Sequence, residues 1–251
     1  VAKPAKTDRK AVIEEMRKKQ KSADRRRGTV IVTVCVLAAV GIIAAAVVPI
    51  LLDKREDSKL DSVALDKIGS AASVCQKVTT KPADGNQNHV PVDTKVDYAD
   101  APPAFGAHWN QAGLAPAAFA RKFYTADDRP ALEALVHNLE HGYTILWYDD
   151  TIAKDEAALD DVEAIARKFS GSDDLRDKFI AAPWTADDEN GTKFPDGQHI
   201  AFTHWSAGGD GETDTKKQVG AFQYCSGVSG DALSSFMDEY PYTDSPEPNA
   251  M

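Results

Sequence analysis

From Thr29 to Leu52 the chain reads TVIVTVCVLAAVGIIAAAVVPILL, twenty-four residues without a charge. As a helix this run is about 36 Å long, enough to cross a hydrocarbon core of about 30 Å with some tilt. The pattern predicts a transmembrane helix over 29–52. A cleaved signal peptide has an apolar region of only about 7–15 residues that ends at small residues. Here the run passes Ala44, Ala45 and Ala46 and continues to Leu52. Gly41 and Pro49 fit, since membrane helices carry both more often than soluble ones do.

Beyond the apolar run the periodicity changes. Leu60, Val63, Ala64 and Ile68 fall near helical spacing and suggest a short stalk over 53–79. Residues 80–104 are rich in Pro, Asn and Asp and read as loops, with a strand at Val90 to Val96. A helix starts at Pro130 and stops at Gly142, with Leu132, Leu135, Val136 and Leu139 as its buried stripe. Tyr143 to Tyr148 reads as a strand and Ala153 to Phe169 as an amphipathic helix. His199 to Trp205 and Val219 to Cys225 read as two more strands, and Asp231 to Glu239 as a last short helix. The tail, 240–251, is Pro-rich and expected to be extended or disordered. Helices and strands mixed without a regular βαβ repeat predict one α+β domain over 80–239, with a small sheet, after a single membrane helix.

Charge gives this layout a direction. Residues 1–28 hold eleven basic and four acidic side chains, leaving eighteen basic and thirty-five acidic to the rest of a chain whose net charge is -10. Lys and Arg flanking a span stay in the cytoplasm. Arg17, Lys18, Lys19, Lys21, Arg25, Arg26 and Arg27 therefore predict a cytoplasmic 1–28 and an extracytoplasmic domain at the cell membrane. Attraction of the basic stretch to anionic lipid head groups accounts for it without a protein partner. The acidic remainder offers no basic face to a nucleic acid. Cys35 lies within the apolar run, whereas Cys75 and Cys225 lie beyond it and form an even pair in an oxidising compartment. They are expected to form a disulfide, with free thiols or metal ligands as the alternative.

Candidate chemistry centres on histidine. His137-Asn138-Leu139-Glu140-His141 places two imidazoles four residues apart, on one face of the predicted helix and off its Leu132, Leu135, Val136, Leu139 stripe. They face either water or another layer. His108, held in the Pro102 to Asn110 loop, is the candidate third ligand for a zinc or copper ion shared with His137 and His141. The string also fits H-x-x-E-H, the inverted zinc-protease motif with its Glu as general base, but Gly142 ends the helix at once. The alternative is structural: histidines in a last helical turn satisfy orphan carbonyls and suit the helix dipole. His204, in a predicted strand, is read as half-buried and not as a ligand. P-loop, dinucleotide, C-x-x-C and nucleophile-elbow motifs are absent from the sequence.

A basic IEEMRKKQKSADRRR segment, one membrane span, the PP-x-x-G-x-H loop of Pro102 to His108, the LVHNLEHG helix end of Leu135 to Gly142 and a terminal SPEPNA together resemble actinobacterial single-pass proteins carrying domain of unknown function 3105. The resemblance covers most of the chain and aligns Gly106, His108, His137, Glu140, His141 and Gly142 with the family's motif. It implies a shared local site but no reaction, because that family is defined by sequence. The layout is also similar to single-pass accessory subunits of mycobacterial envelope machines, including Mce-type lipid importers. The leading expectation is accordingly an accessory or interaction subunit of a cell-envelope complex, with other membrane or envelope proteins and the bilayer as partners. A metal-binding domain or small metalloenzyme using His108, His137 and His141 is the competing one, and an enzyme is the less favoured of the two classes.

Overall fold

The computed structural model describes residues 6–83, 87–111, 121–171, 174–188 and 192–250. The chain divides into two compact units, Val1–Glu56 and Asp57–Met251. Helix α1 runs Lys6–Ser62, and its Lys10–Ala45 portion is long and apolar enough to cross a membrane. Val30, Ile31, Leu37, Ile42 and Ile43 are each more than 60% exposed along it. Lipid tails cover such a surface without a partner protein, since every backbone group of a helix is satisfied internally.

The second unit is an α+β domain, as the mixed pattern predicts. Its elements are β1 (Thr79–Pro82), β2 (His89–Val90), β3 (His108–Trp109), α2 (Leu132–Glu140), β4 (Thr144–Tyr148), α3 (Asp150–Ala153), α4 (Glu156–Lys168), β5 (Phe179–Pro183), β6 (Ile200–Ser206), β7 (Val219–Cys225) and α5 (Gly230–Glu239). Five strands form a sheet in the order β1-β7-β6-β4-β5. All neighbours are antiparallel except β4 and β5, which are parallel and joined through α3 and α4. A separate parallel pair, β2 with β3, puts His89 directly opposite His108.

The central sheet is buried on both faces, and side-chain alternation along β4 shows how. Leu146 and Tyr148 enter one cluster with Val162, Ile165, Phe179, Leu233 and Phe236, beneath α4 and α5. Ile145 and Trp147 point the other way, into a cluster with Leu135, Val136, Leu139, Trp184 and Trp205, beneath α2. The helix boundaries follow local chemistry. The Asp155 carboxylate caps α4 by accepting from the Ala158 N–H, Arg167 and Lys168 sit at its negative end, and Ser229 Oγ caps α5 by accepting from Ala232. The helix expected from Ala153 starts at Glu156, and a separate short helix, α3, capped by Asp149, precedes it.

Three expectations need correction. The stretch read as a stalk is built into the domain from Asp57 onward: Ile68 is buried, and Leu60, Val63, Leu65 and Val74 pack on the same cluster. Burying these apolar side chains, each worth roughly 1.5–3 kcal/mol when complete, holds the segment down. Cys75 and Cys225 are joined at an S–S distance of 2.04 Å and fasten it to the end of β7. The strand expected over Val90 to Val96 ends at Val90, because Pro91 has no N–H for a ladder and its carbonyl accepts from Thr94 N in a turn.

The third correction concerns the tail. Up to Ala250 it is folded onto the domain, with Asp244 and Ser245 buried. His204, fully buried and not half-buried, is paired with the Asp244 carbonyl at 2.8 Å and the Tyr143 carbonyl at 3.2 Å. The Asp244 carboxylate accepts from Ser206 Oγ and from the Gly209 N–H. Buried Lys178 donates to the carbonyls of His141, Pro248 and Ala250 at 2.7–2.9 Å. Burial lowers its pKa to about 8. Each of these groups would be costly to bury alone, so the Pro-rich composition did not decide the outcome. The tail supplies their partners.

Candidate metal centre

Helix α2 carries the site on its last turn. His137, Glu140 and His141 stand at i, i+3 and i+4, which places all three on one helix face. That face is covered and does not face water, since His137 and His141 are 9% and 7% exposed and Glu140 is 0% exposed. The layer over it is the β2–β3 pair with the tail. Gly142 turns the chain at φ 88°, where a Cβ would lie 2.4 Å from the Tyr242 carbonyl oxygen. The tail thus reaches the end of α2 only because residue 142 has no side chain.

His108 comes from the β3 side. Its loop contains a cis Ala101–Pro102 bond and passes Gly106 at φ 134°, a conformation that favours glycine. The Gly106 carbonyl lies 2.8 Å from His108 Nδ1 and can only accept, so Nδ1 carries a proton and donates to it. The other nitrogen, Nε2, is left facing Glu140 Oε2 at 2.9 Å. A ring held by a carbonyl at one nitrogen and aimed by the other is the usual setting of a metal-ligating histidine.

Two more imidazoles turn toward the same carboxylate. His89 Nε2 lies 3.6 Å and His137 Nδ1 3.9 Å from Glu140 Oε2. The rings of His108 and His137 have their centroids 5.2 Å apart, and those of His89 and His108 4.9 Å. One donor atom each from His89, His108, His137 and Glu140 falls within a 4.8 Å span. Ligands around a tetrahedral zinc ion, bonded at about 2.0–2.1 Å, stand roughly 3.4 Å apart, so a contraction of at most about 1.4 Å closes the shell. His89 permits it, because its side chain is 42% exposed on a two-residue strand.

The electrostatics favour a cation. Burial by itself would raise the Glu140 carboxyl, but the hydrogen bonds with His108 and Gln87 together with the closeness of the His108 and His89 rings outweigh it and hold the pKa down to about 2. Glu140 is therefore a buried anion with Gln87 Nε2 donating to Oε1 at 2.9 Å. For His137, burial comes first and the neighbouring His141 and His108 second in lowering its pKa to about 4. It is neutral at physiological pH, and its Nδ1 is buried without a hydrogen-bond partner among the described residues. An unpaired buried nitrogen is costly. A metal ion at the Glu140 carboxylate would supply its missing partner.

A family model described as Protein of unknown function (DUF3105) matches residues 89–251, about two thirds of the chain. The chain belongs to the DUF3105 family. The matched span opens on His89 and contains His108, His137, Glu140, His141 and Glu247, while α1 lies outside it. No curated protein and no solved structure matches the chain.

Of the DUF3105 residues expected from sequence to share one ion, the structure brings His108 and His137 around Glu140. His141 lies beside His137 with ring centroids 4.2 Å apart and the rings tilted by 56°, yet its Nε2 turns toward Glu247 at 3.4 Å and it groups with Glu140 and Glu247. The sequence reading did not choose His89 as a ligand, and it gave Glu140 a base's role only within the H-x-x-E-H protease motif that it set aside. The spacing within H-x-x-E-H carried the signal for Glu140, since i+3 shares the face of i as i+4 does. Nothing local marked His89, whose place depends on pairing with a strand nineteen residues on.

Proposed function

We propose that this protein is a membrane-anchored extracytoplasmic metal-binding protein, in which His89, His108, His137 and Glu140 hold one transition-metal ion, zinc or copper. The single observation that carries the reading is a fully buried carboxylate faced by three imidazole nitrogens, one of them without a hydrogen-bond partner among the described residues. Imidazole suits both metals, and a mixed nitrogen and oxygen set of four fills a tetrahedral shell. Elemental analysis of full-length protein purified in detergent should find close to one zinc or copper per chain. His137→Ala should remove that metal without unfolding the domain, because the side chain it deletes has an unsatisfied nitrogen and lies off the Leu135, Val136, Leu139 core. Metal-free wild type, or His137→Ala that retains its metal, refutes the site.

The accessory-subunit reading, with an envelope complex such as a Mce-type lipid importer as partner, draws on the anchor and on the lack of a nucleophile motif. It becomes the leading one if the purified chain holds no metal and a solubilised pulldown returns a reproducible partner. Both readings take the chain as an actinobacterial single-pass protein with 1–28 in the cytoplasm, on the strength of the basic cluster before the apolar run. Protease added to intact wall-stripped cells should digest the domain and spare the first 28 residues. Protection of the domain overturns the orientation.

A further inference from the structure

The geometry points to a second divalent-cation position beside the first, formed by His141 and Glu247 and bridged to it by Glu140; this rests on the single-ion reading above. One donor atom each from Glu140, His141 and Glu247 lies within a 4.8 Å span, and Glu140 is common to both groups. A carboxylate has two oxygens and about four lone-pair directions, so one side chain can serve two cations. His141 is more than nine-tenths buried, and among the described residues its ring makes no hydrogen bond, only the 3.4 Å approach of Nε2 to Glu247 Oε2. Imidazole and carboxylate are brought together by the main chain: the Glu247 N–H donates to the Glu140 carbonyl at 2.9 Å. The Glu247 side chain remains 48% exposed and free to move onto an ion.

The two positions differ in kind. The first has four protein ligands and is closed. The second has three, one of them at the surface, so a cation there keeps a place for water or an outside ligand, the feature that separates catalytic from structural zinc sites. Lys178 also donates to the His141 carbonyl at 2.7 Å, which puts a positive charge beside the second position. The second ion should consequently bind more weakly than the first, by about 10-fold or more.

Zinc titrated into the chelator-stripped full chain in detergent, followed by calorimetry and native mass measurement, tests this. Wild type should take up two equivalents in two steps. Glu247→Gln, an exposed change with no folding cost expected, and His141→Ala should each lose the weaker step and keep the tighter one. Saturation of wild type at one equivalent, or two unchanged steps in Glu247→Gln, overturns the second position and leaves the first standing. A wild-type chain that takes up no zinc overturns both.

Discussion

On the proposed site, Glu140→Gln should lower the affinity of the full-length protein for zinc or copper by about 100-fold or more, since even outer-shell partners of a metal ligand are worth about 10–100-fold. The substitution keeps the volume and the acceptor for Gln87 Nε2 but removes the anion that His89, His108 and His137 all face. Three imidazoles remain, so binding weakens without vanishing. In metal-free protein the same change acts through His108: its Nε2, 2.9 Å from the carboxylate, loses a charged partner for a neutral one. Hydrogen bonds to charged groups contribute about 1.5–3 kcal/mol against about 1 for neutral ones. A competition titration against a chelator of known affinity checks the first effect and a denaturant melt of stripped protein the second. Unchanged metal affinity in Glu140→Gln would mean that the carboxylate is not a ligand.

Cys75→Ala together with Cys225→Ala should destabilise the domain by about 4–5 kcal/mol on the loop-entropy account of a closed loop, the separation here being 150 residues. For a domain of this size each kcal/mol moves Tm by about 2–4 °C, so a fall of about 10–20 °C is expected in a thermal scan. The loss concentrates on one segment. Without the bridge, residues 65–78 are held by Ile68 and its neighbours and by the Gln76 and Ser226 backbone bonds to Tyr224 and Val74. Limited proteolysis of the double variant should therefore cut near residue 70 before it reaches the central sheet. An unchanged Tm, or first cuts elsewhere, would show that the segment is held by its apolar contacts alone.

Most of the periodic elements were legible. The strands at β4, β6 and β7 and the helices α2 and α5 lie within about two residues of where the sequence pattern put them, because each has a strong pattern and α2 also has a boundary residue in Gly142. Two strands of the five-stranded sheet were not legible. Thr79–Pro82 is an exposed edge strand with no alternation, and Phe179–Pro183 is a short Ala-rich run that reads as strand only once β4 lies beside it. In both, the ladder and not the side-chain pattern makes the element.

The site divides along the same line. One turn of sequence, His137 to His141, was enough to show that imidazoles and a carboxylate share a helix face, because the α-helical period is a local property of the backbone. The long apolar run and the basic residues before it were equally local, and so was the expectation of a membrane helix. Which nitrogen meets which oxygen was decided only by the fold. The parallel pairing of β2 and β3 brings His89 to His108, burial turns Glu140 into an enclosed anion, and the folded tail takes His141 away toward Glu247. These are contacts between residues 19 to 106 positions apart in a common layer, and composition carries no signal for them because they arise from chain reversals and from the partners that buried polar groups require.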